Sequence, residues 1–159
     1  MPSTTSSADA PANTPADAPA SASAANEPSW RQRGQAYRTA LLSTDVEGGG
    51  SDFVQLNASV PIPKYYQVSR RAYHQFRAGC GHVDDRNADE IYLQGNRLIK
   101  FLAAVLPLHP QYGSDREELI RAREECRLML ADVGRLLAAV ALCIDRRCHG
   151  GHGGGHGQG

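Results

Sequence analysis

The sequence predicts an all-α protein: an antiparallel three-helix bundle over residues 58–148, flanked by disordered tails at 1–57 and 149–159. Three observations lead there. From residue 60 onward apolar side chains recur at intervals of three and four, the period of helices that bury one face. The breaks between these stretches hold prolines and cap-forming residues, where helices start or stop. Both ends of the chain lack the large apolar side chains that a core requires.

Met1–Ser29 holds only Ala, Pro, Ser, Thr, Asp, Asn and Glu after its methionine. With no aromatic or branched aliphatic group to bury, it cannot offset its chain entropy of roughly 1–2 kcal/mol per residue. Trp30–Val46 follows, carrying Trp30, Tyr37, Ala40, Leu41 and Leu42. It reads as a short amphipathic turn or helix, or as a peptide that docks elsewhere. Gly48-Gly49-Gly50-Ser51 has the composition of a flexible linker. At the other end, His149–Gly159 is Gly and His with one Gln, and is expected to be disordered.

The first bundle helix is expected from about Lys64 to His82, with Pro63 suited to a first helical position. Tyr65, Val68, Ala72, Phe76 and Cys80 form its apolar stripe, with Tyr66 and Tyr73 beside it. These aromatics read as core. The second helix begins near Asn87, where Asn87 and Glu90 make a capping-box-like pair. Its stripe holds Ile91, Tyr92, Leu98, Ile99, Phe101, Leu102, Val105 and Leu106, and Gly95 allows a neighbouring backbone to approach. Pro107 stops it and Pro110 keeps it from restarting. Ser114 and Glu117 form an S-x-x-E box ahead of the third helix. That helix carries a heptad seam of Leu119, Ala122, Cys126, Met129, Val133, Leu136, Val140 and Cys143. Ile120, Leu130, Leu137 and Ile144 widen the seam, which favours a globular bundle over a two-stranded coil. Short connections imply antiparallel neighbours.

Charge and cysteine content narrow the function. Lys plus Arg equals Asp plus Glu at 17 each, and the bundle region has only a slight basic excess. The dense basic stripe with interleaved aromatics of a nucleic-acid surface is lacking. Cys80, Cys126, Cys143 and Cys148 are not spaced as a compact disulfide or zinc framework. No apolar run reaches the roughly 18 residues of a membrane span, and the start of the chain does not read as a secretory signal. A reducing, cytoplasmic setting is expected.

The search for chemistry yields no catalytic set, no cofactor site and no metal site. Cys148, His149, His152 and His156 cluster, but intervening glycines leave them unorganised. Cys80 and His82 sit at a helix end with Asp84 and Asp85 nearby, which is expected to raise a thiol pKa rather than activate it. Asp84, Asp85, Asp89 and Glu90 suit the positive end of the second helix. Residue by residue, the chain reads as a non-enzymatic helical interaction module.

Several strings carry a resemblance. Val60-Pro-Ile-Pro-Lys-Tyr65-Tyr66 is followed by an amphipathic helix. Asn87, Ile91-Tyr92 and Arg97 precede an apolar run, and Leu106-Pro107-Leu108-His109-Pro110-Gln111-Tyr112 forms the turn. In order and spacing these resemble the MIT-like amino-terminal domain of AMSH-type endosomal deubiquitinases, a domain type also found as a dimerisation domain in a large endosomal ubiquitin-specific protease. The resemblance implies that Tyr65, Tyr66, Asn87, Tyr92, Pro107, His109 and Tyr112 are family-like structural positions. It implies binding of ESCRT-III tails, or membership of a deubiquitinase complex, in the cytoplasm at the endosomal surface. Arg116, Arg123 and Arg127 are the candidate rim of the partner groove. The family's zinc metalloprotease signature, a His-x-His pair with a later Asp and an upstream Glu, is not in this sequence, so deubiquitinase activity is not carried over. A homodimerising scaffold, or the non-catalytic fragment of a deubiquitinase, is the alternative.

Overall fold

The computed structural model describes residues 3, 28–47 and 55–150. These form four helices, one more than the bundle expected: α1 (Trp30–Glu47), α2 (Ile62–Cys80), α3 (Ala88–Lys100) and α4 (Glu117–Gly150). The expected tails at 1–27 and 151–159 (Ser3 apart) and the linker at 48–51 lie outside the described residues. The Trp30–Glu47 segment, grouped from sequence with the tail but read there as an amphipathic turn or helix or a docking peptide, is an 18-residue helix seated on α3 and α4.

The helices α2, α3 and α4 run up, down and up. Tyr73 meets Asp132 and Arg70 meets Glu125, so α2 lies parallel to α4. Gly79 faces Ile91 and Gly95 faces Phe76, so α2 and α3 are antiparallel. Phe76, Phe101, Ile62, Leu98, Leu106, Ile144, Val133 and Val140 are almost wholly buried between them. Burying each such side chain contributes about 1.5–3 kcal/mol against leaving it in water.

Several local expectations are corrected. On α2, Val68 is exposed and Ser69 is buried in its place. Ser69 can enter the core because its hydroxyl donates to the Tyr65 carbonyl one turn back, at 2.8 Å. On α4 the seam drifts: Leu137 and Ile144 are buried, whereas Leu136 is half-buried and Cys143 exposed. A straight helix of 3.6 residues per turn slips by about 20° per heptad, so a strict heptad count loses the buried face near the helix end. At Gly95 an added Cβ would meet the side chains of Leu137 and Phe76 at 2.7 Å each, so the close approach is by side chains rather than a neighbouring backbone.

The end of the second bundle helix also differs. The α-helix stops at Lys100, a π-helical turn spans Phe101–Val105, and a 3-10 turn spans Leu106–Leu108. Pro107 lacks an N–H and its ring conflicts with the carbonyl four residues back, which disfavours regular α geometry here. The wider turn, closed by the Leu106 N–H on the Phe101 carbonyl, puts Phe101, Leu102 and Leu106 into the core together.

Neither capping pair read from the sequence forms as expected. The Ser114 hydroxyl accepts from the Arg116 amide at 3.3 Å, and α4 opens at Glu117 with the Ile120 N–H on the Arg116 carbonyl. Asn87 is the N-cap of α3 by backbone only. Its side chain turns back into the loop, accepting from the Asp84 N–H and donating to the His82 carbonyl, both at 2.8 Å. The reciprocal box that does form is at α1. The Gln32 Oε1 accepts from the Ser29 N–H at 2.7 Å, and the Ser29 hydroxyl accepts from the Gln32 N–H at 3.3 Å.

Candidate helix-binding groove

The outer faces of α3 and α4 form a shallow trough, and α1 lies in it parallel to α3 and antiparallel to α4. The contact is made by polar side chains set at intervals, with Leu41 and Leu42 of α1 partly buried beside them. Asp145 is the deepest: it stands among the apolar residues of α4, 7% exposed, one residue after fully buried Ile144. Burying a carboxylate is costly unless it is paired and hydrogen-bonded. Arg38 of α1 supplies the pairing, donating from Nε to one Asp145 oxygen at 2.9 Å and from Nη2 to the other at 3.3 Å. The same guanidinium reaches the Tyr92 hydroxyl at 3.5 Å and lies 5.9 Å from its ring centroid. The Asp145 hydrogen bond, above all, pushes the Arg38 pKa up.

A second clamp sits two turns further along α1. Asp45 accepts a two-pronged pair from Arg97 of α3, Nε at 3.0 Å and Nη2 closer still. The Arg97 hydrogen bond holds the Asp45 carboxyl below its usual range. A third contact centres on Asp89 near the start of α3. It accepts from the Tyr37 hydroxyl of α1 and, at 2.7 Å, from Nη2 of Arg147. Arg147 also donates to the Asp85 carbonyl at 2.9 Å and lies over the Tyr37 ring at 5.1 Å. Asp89 therefore links three helices, besides sitting where negative charge suits a helix start.

Steric fit adds to the charge pattern. A Cβ on Gly34 would stand 2.1 Å from Asp145 Oδ1 and 2.7 Å from Asp145 Cα, so the two backbones meet with room for hydrogen only. Gly34, Arg38, Leu41 and Asp45 follow at spacings of four, three and four, which puts them on one stripe of α1. Leu41 and Leu42 add partial apolar burial. At the open end, Trp30 rests 6.1 Å from the His149 ring. Removing Arg38 would strand Asp145. That costs about 3–5 kcal/mol for a fully buried pair, but the side-chain exposures of 22% and 10% bring it nearer the roughly 1.5–3 kcal/mol of a charged hydrogen bond.

The rim arginines named from the sequence are placed elsewhere. Arg123 donates to the Tyr112 carbonyl and covers the Tyr112 ring at 5.8 Å, so it fastens the turn to α4. Arg116 and Arg127 lie at the surface beside Glu118 and Glu124, in pairs of the kind worth about 0–1 kcal/mol. Of the family-like positions, Tyr65 and His109 form a clasp at the entry to α2, whereas Asn87 holds the loop before α3 and Tyr92 faces Arg38 in the groove. His109 Nε2 is 2.8 Å from the Val60 carbonyl while its Nδ1 accepts from the Gln111 N–H at 3.1 Å, which places the proton on Nε2. The Gln111 side chain accepts from the Ile62 N–H at 2.9 Å. The Tyr65 hydroxyl accepts from the Asn57 N–H at 2.6 Å and donates to its carbonyl at 3.2 Å, and the Tyr65 ring meets His109 edge-on at 5.5 Å. Pro107 shapes the 3-10 turn before this clasp. The Tyr66 hydroxyl is buried with no hydrogen-bond partner, and burial pushes its pKa up to about 12.

Of the cysteines, Cys80 and Cys126 have raised thiol pKa values. Burial pushes the Cys126 thiol up to about 11. Burial raises Cys80 as well, with Asp132 the contributing charge rather than the Asp84 and Asp85 expected. Of the His/Cys cluster at the chain end, Cys148 and His149 belong to the last turns of α4, and His152 and His156 lie outside the described residues. Among the described residues no three His, Cys, Asp or Glu side chains gather as a metal site, and no helix is long and apolar enough to cross a membrane. No family model, curated protein or solved structure matches the chain.

Proposed function

We propose that the chain is a non-enzymatic protein-interaction domain that binds a short helix in the groove between α3 and α4. The observation that supports this most directly is that the groove already holds an 18-residue helix, α1, through paired charges and a glycine contact. Helix-in-groove recognition uses anchors at helical spacing with a polar rim, and Arg97, Asp89 and Arg147 supply such a rim around the buried Asp145. The sequence resemblance to AMSH-type MIT-like domains makes the carboxy-terminal helices of ESCRT-III subunits the first partners to test, in a cytoplasmic protein at the endosomal surface. Residues 58–148 are the MIT-like unit in this reading, and α1 is an addition to it. Arg116 and Arg127 mark a second candidate rim on the opposite end of α4. Labelled ESCRT-III tail peptides titrated with the full chain should show saturable micromolar anisotropy changes. Weakening on Arg97→Glu would place them in the α3/α4 groove, and weakening on Arg127→Glu would move the site to the second rim. Binding by no peptide in the panel removes the endosomal reading.

A second reading, a homodimerising scaffold, is favoured by Leu128 and Leu142. Both are exposed, at 65% and 37%, and they lie four turns apart on the outer face of α4. Sedimentation of the full chain across concentrations tests it, because a constant monomer mass rules it out.

A further inference from the structure

Tyr37, Arg38 and Asp45 fix α1 in its groove through polar contacts with Asp89, Asp145 and Arg97, and among the described side chains of α1 the apolar contribution is the partial burial of Leu41 and Leu42. Gly34 must stay small to pass Asp145, Arg38 must meet Asp145, and Asp45 must meet Arg97. Such an interface is selective because each position rejects the wrong charge or size. It is also readily exchanged, because ion pairs that keep some exposure hold less tightly than buried apolar area. Any helix with the same stripe would satisfy Asp145 and Arg97 equally well. Building on the helix-binding reading, we propose that α1 is an in-cis occupant that holds this groove shut. A partner then enters as an amphipathic helix presenting a small residue, an arginine one turn later and a carboxylate two turns after that. Asp145 reads the arginine and excludes bulk, Arg97 reads the carboxylate, and Tyr92 stacks against the guanidinium. The partner must displace α1, so its apparent affinity falls by the fraction of molecules in which the groove is open.

Trp30 is the only tryptophan of the chain and sits at the end of α1 against His149, so its emission reports whether α1 is docked. The probe is a synthetic peptide of residues 30–47 with Trp30→Phe, added to the intact chain. The control is the same peptide with Arg38→Glu and Asp45→Lys. The expected result is a saturable shift of Trp30 emission with the probe and none with the control. The fluorescein-labelled probe should also bind an Arg38→Glu chain about tenfold or more tightly than the wild-type chain, because the in-cis competitor is gone. Asp45→Lys is the second variant, with the same expected direction, should Arg38→Glu fail to fold by circular dichroism. Trp30 emission unmoved by the probe, or equal probe affinity for wild-type and both undocked chains, overturns the proposal and makes α1 a permanent fourth helix. A doubled mass during the titration, from exchange of α1 between two copies, overturns it as well. ESCRT-III tail peptides that fail on the Arg38→Glu chain, while the probe binds it, reject the endosomal partner and leave the groove assignment standing.

Discussion

Replacing Gly34 by alanine sets two physical effects against each other, and the structure decides the sign. In an isolated helix the change is favourable by about 1 kcal/mol, because alanine loses less backbone freedom than glycine. At this position the new methyl would sit 2.5 Å from Asp145 Cγ and 2.7 Å from Asp145 Cα. A carboxylate oxygen can rotate away, but Cα belongs to the α4 backbone and moves only with its helix. Overpacking costs about 1–3 kcal/mol, and a clash with backbone belongs in the upper part of that range. Shifting α1 outward to relieve it lengthens the Arg38–Asp145 bonds of 2.9 and 3.3 Å, which adds to the loss. The net result is weaker docking of α1 by about 1–2 kcal/mol, a factor of roughly 5–30. Single-tryptophan fluorescence, read at Trp30 against urea, measures it. The α1 transition should move to lower urea in Gly34→Ala, while a peptide of residues 30–47 with the same change gains helix content. A chain that becomes more stable with Trp30 emission unchanged would refute the close approach on which the groove assignment rests.

Tyr66→Phe should stabilise the chain by about 1 kcal/mol in chemical denaturation, because it removes a buried hydroxyl that has no partner; destabilisation would mean that the hydroxyl is satisfied. His109→Leu should cost about 1–3 kcal/mol, since it strips hydrogen bonds from the partly buried Val60 carbonyl and from the Gln111 amide together, and a loss below about 0.5 kcal/mol would leave the clasp without energetic weight. Acid should undock α1 before the rest unfolds. Arg97 depresses the Asp45 pKa, so this contribution is fully present above the unfolded carboxylate value of about 3.9 and is lost as pH falls through the lower folded value. Trp30 emission should therefore change below about pH 4 in the wild-type chain. Asp45→Asn should show a smaller change there and looser docking already at neutral pH, and identical acid profiles would assign the transition to another group.

The parts of the fold that were legible in the sequence are those driven by apolar periodicity and by proline. Leu98, Phe101, Leu102, Val133 and Val140 read as core and are buried, and Pro107 marks the region where helical geometry gives out, although the α-helix itself stops at Lys100. The groove was not legible, for a physical reason. The stripe Gly34-Arg38-Leu41-Asp45 has helical spacing, but its chemistry is steric and ionic, so a search for apolar periodicity passes over it. Asp145 reads as a solvated charge until its partner, Arg38, is placed in space. One local signal was available: Ser29-x-x-Gln32 has the same form as the Ser114 and Glu117 pair and marks the start of α1. Cap motifs that were read, at Asn87 and Ser114, failed because nearby groups took their roles. Asp84 accepts from the Asn87 and Arg86 amides at 2.9 Å each, and the α4 helix begins past Ser114.

The pairing of Arg38 with Asp145 joins residues 107 apart, whereas the clasp bond of His109 to Val60 spans 49. That separation orders events in time. During synthesis from the amino terminus, α1 is made first, yet the carboxylate it must meet is added almost at the end of the described chain. At about 5–20 residues per second, α1 waits roughly 5–20 s for its site. In that interval α2 and α3 can already pair through contacts close in sequence, so the last step of folding is the arrival of α4 and the seating of α1 upon it. The polar character of α1 suits this delay, because a helix that spends seconds beside the ribosome without its partner is safest when it has little apolar surface to offer other chains.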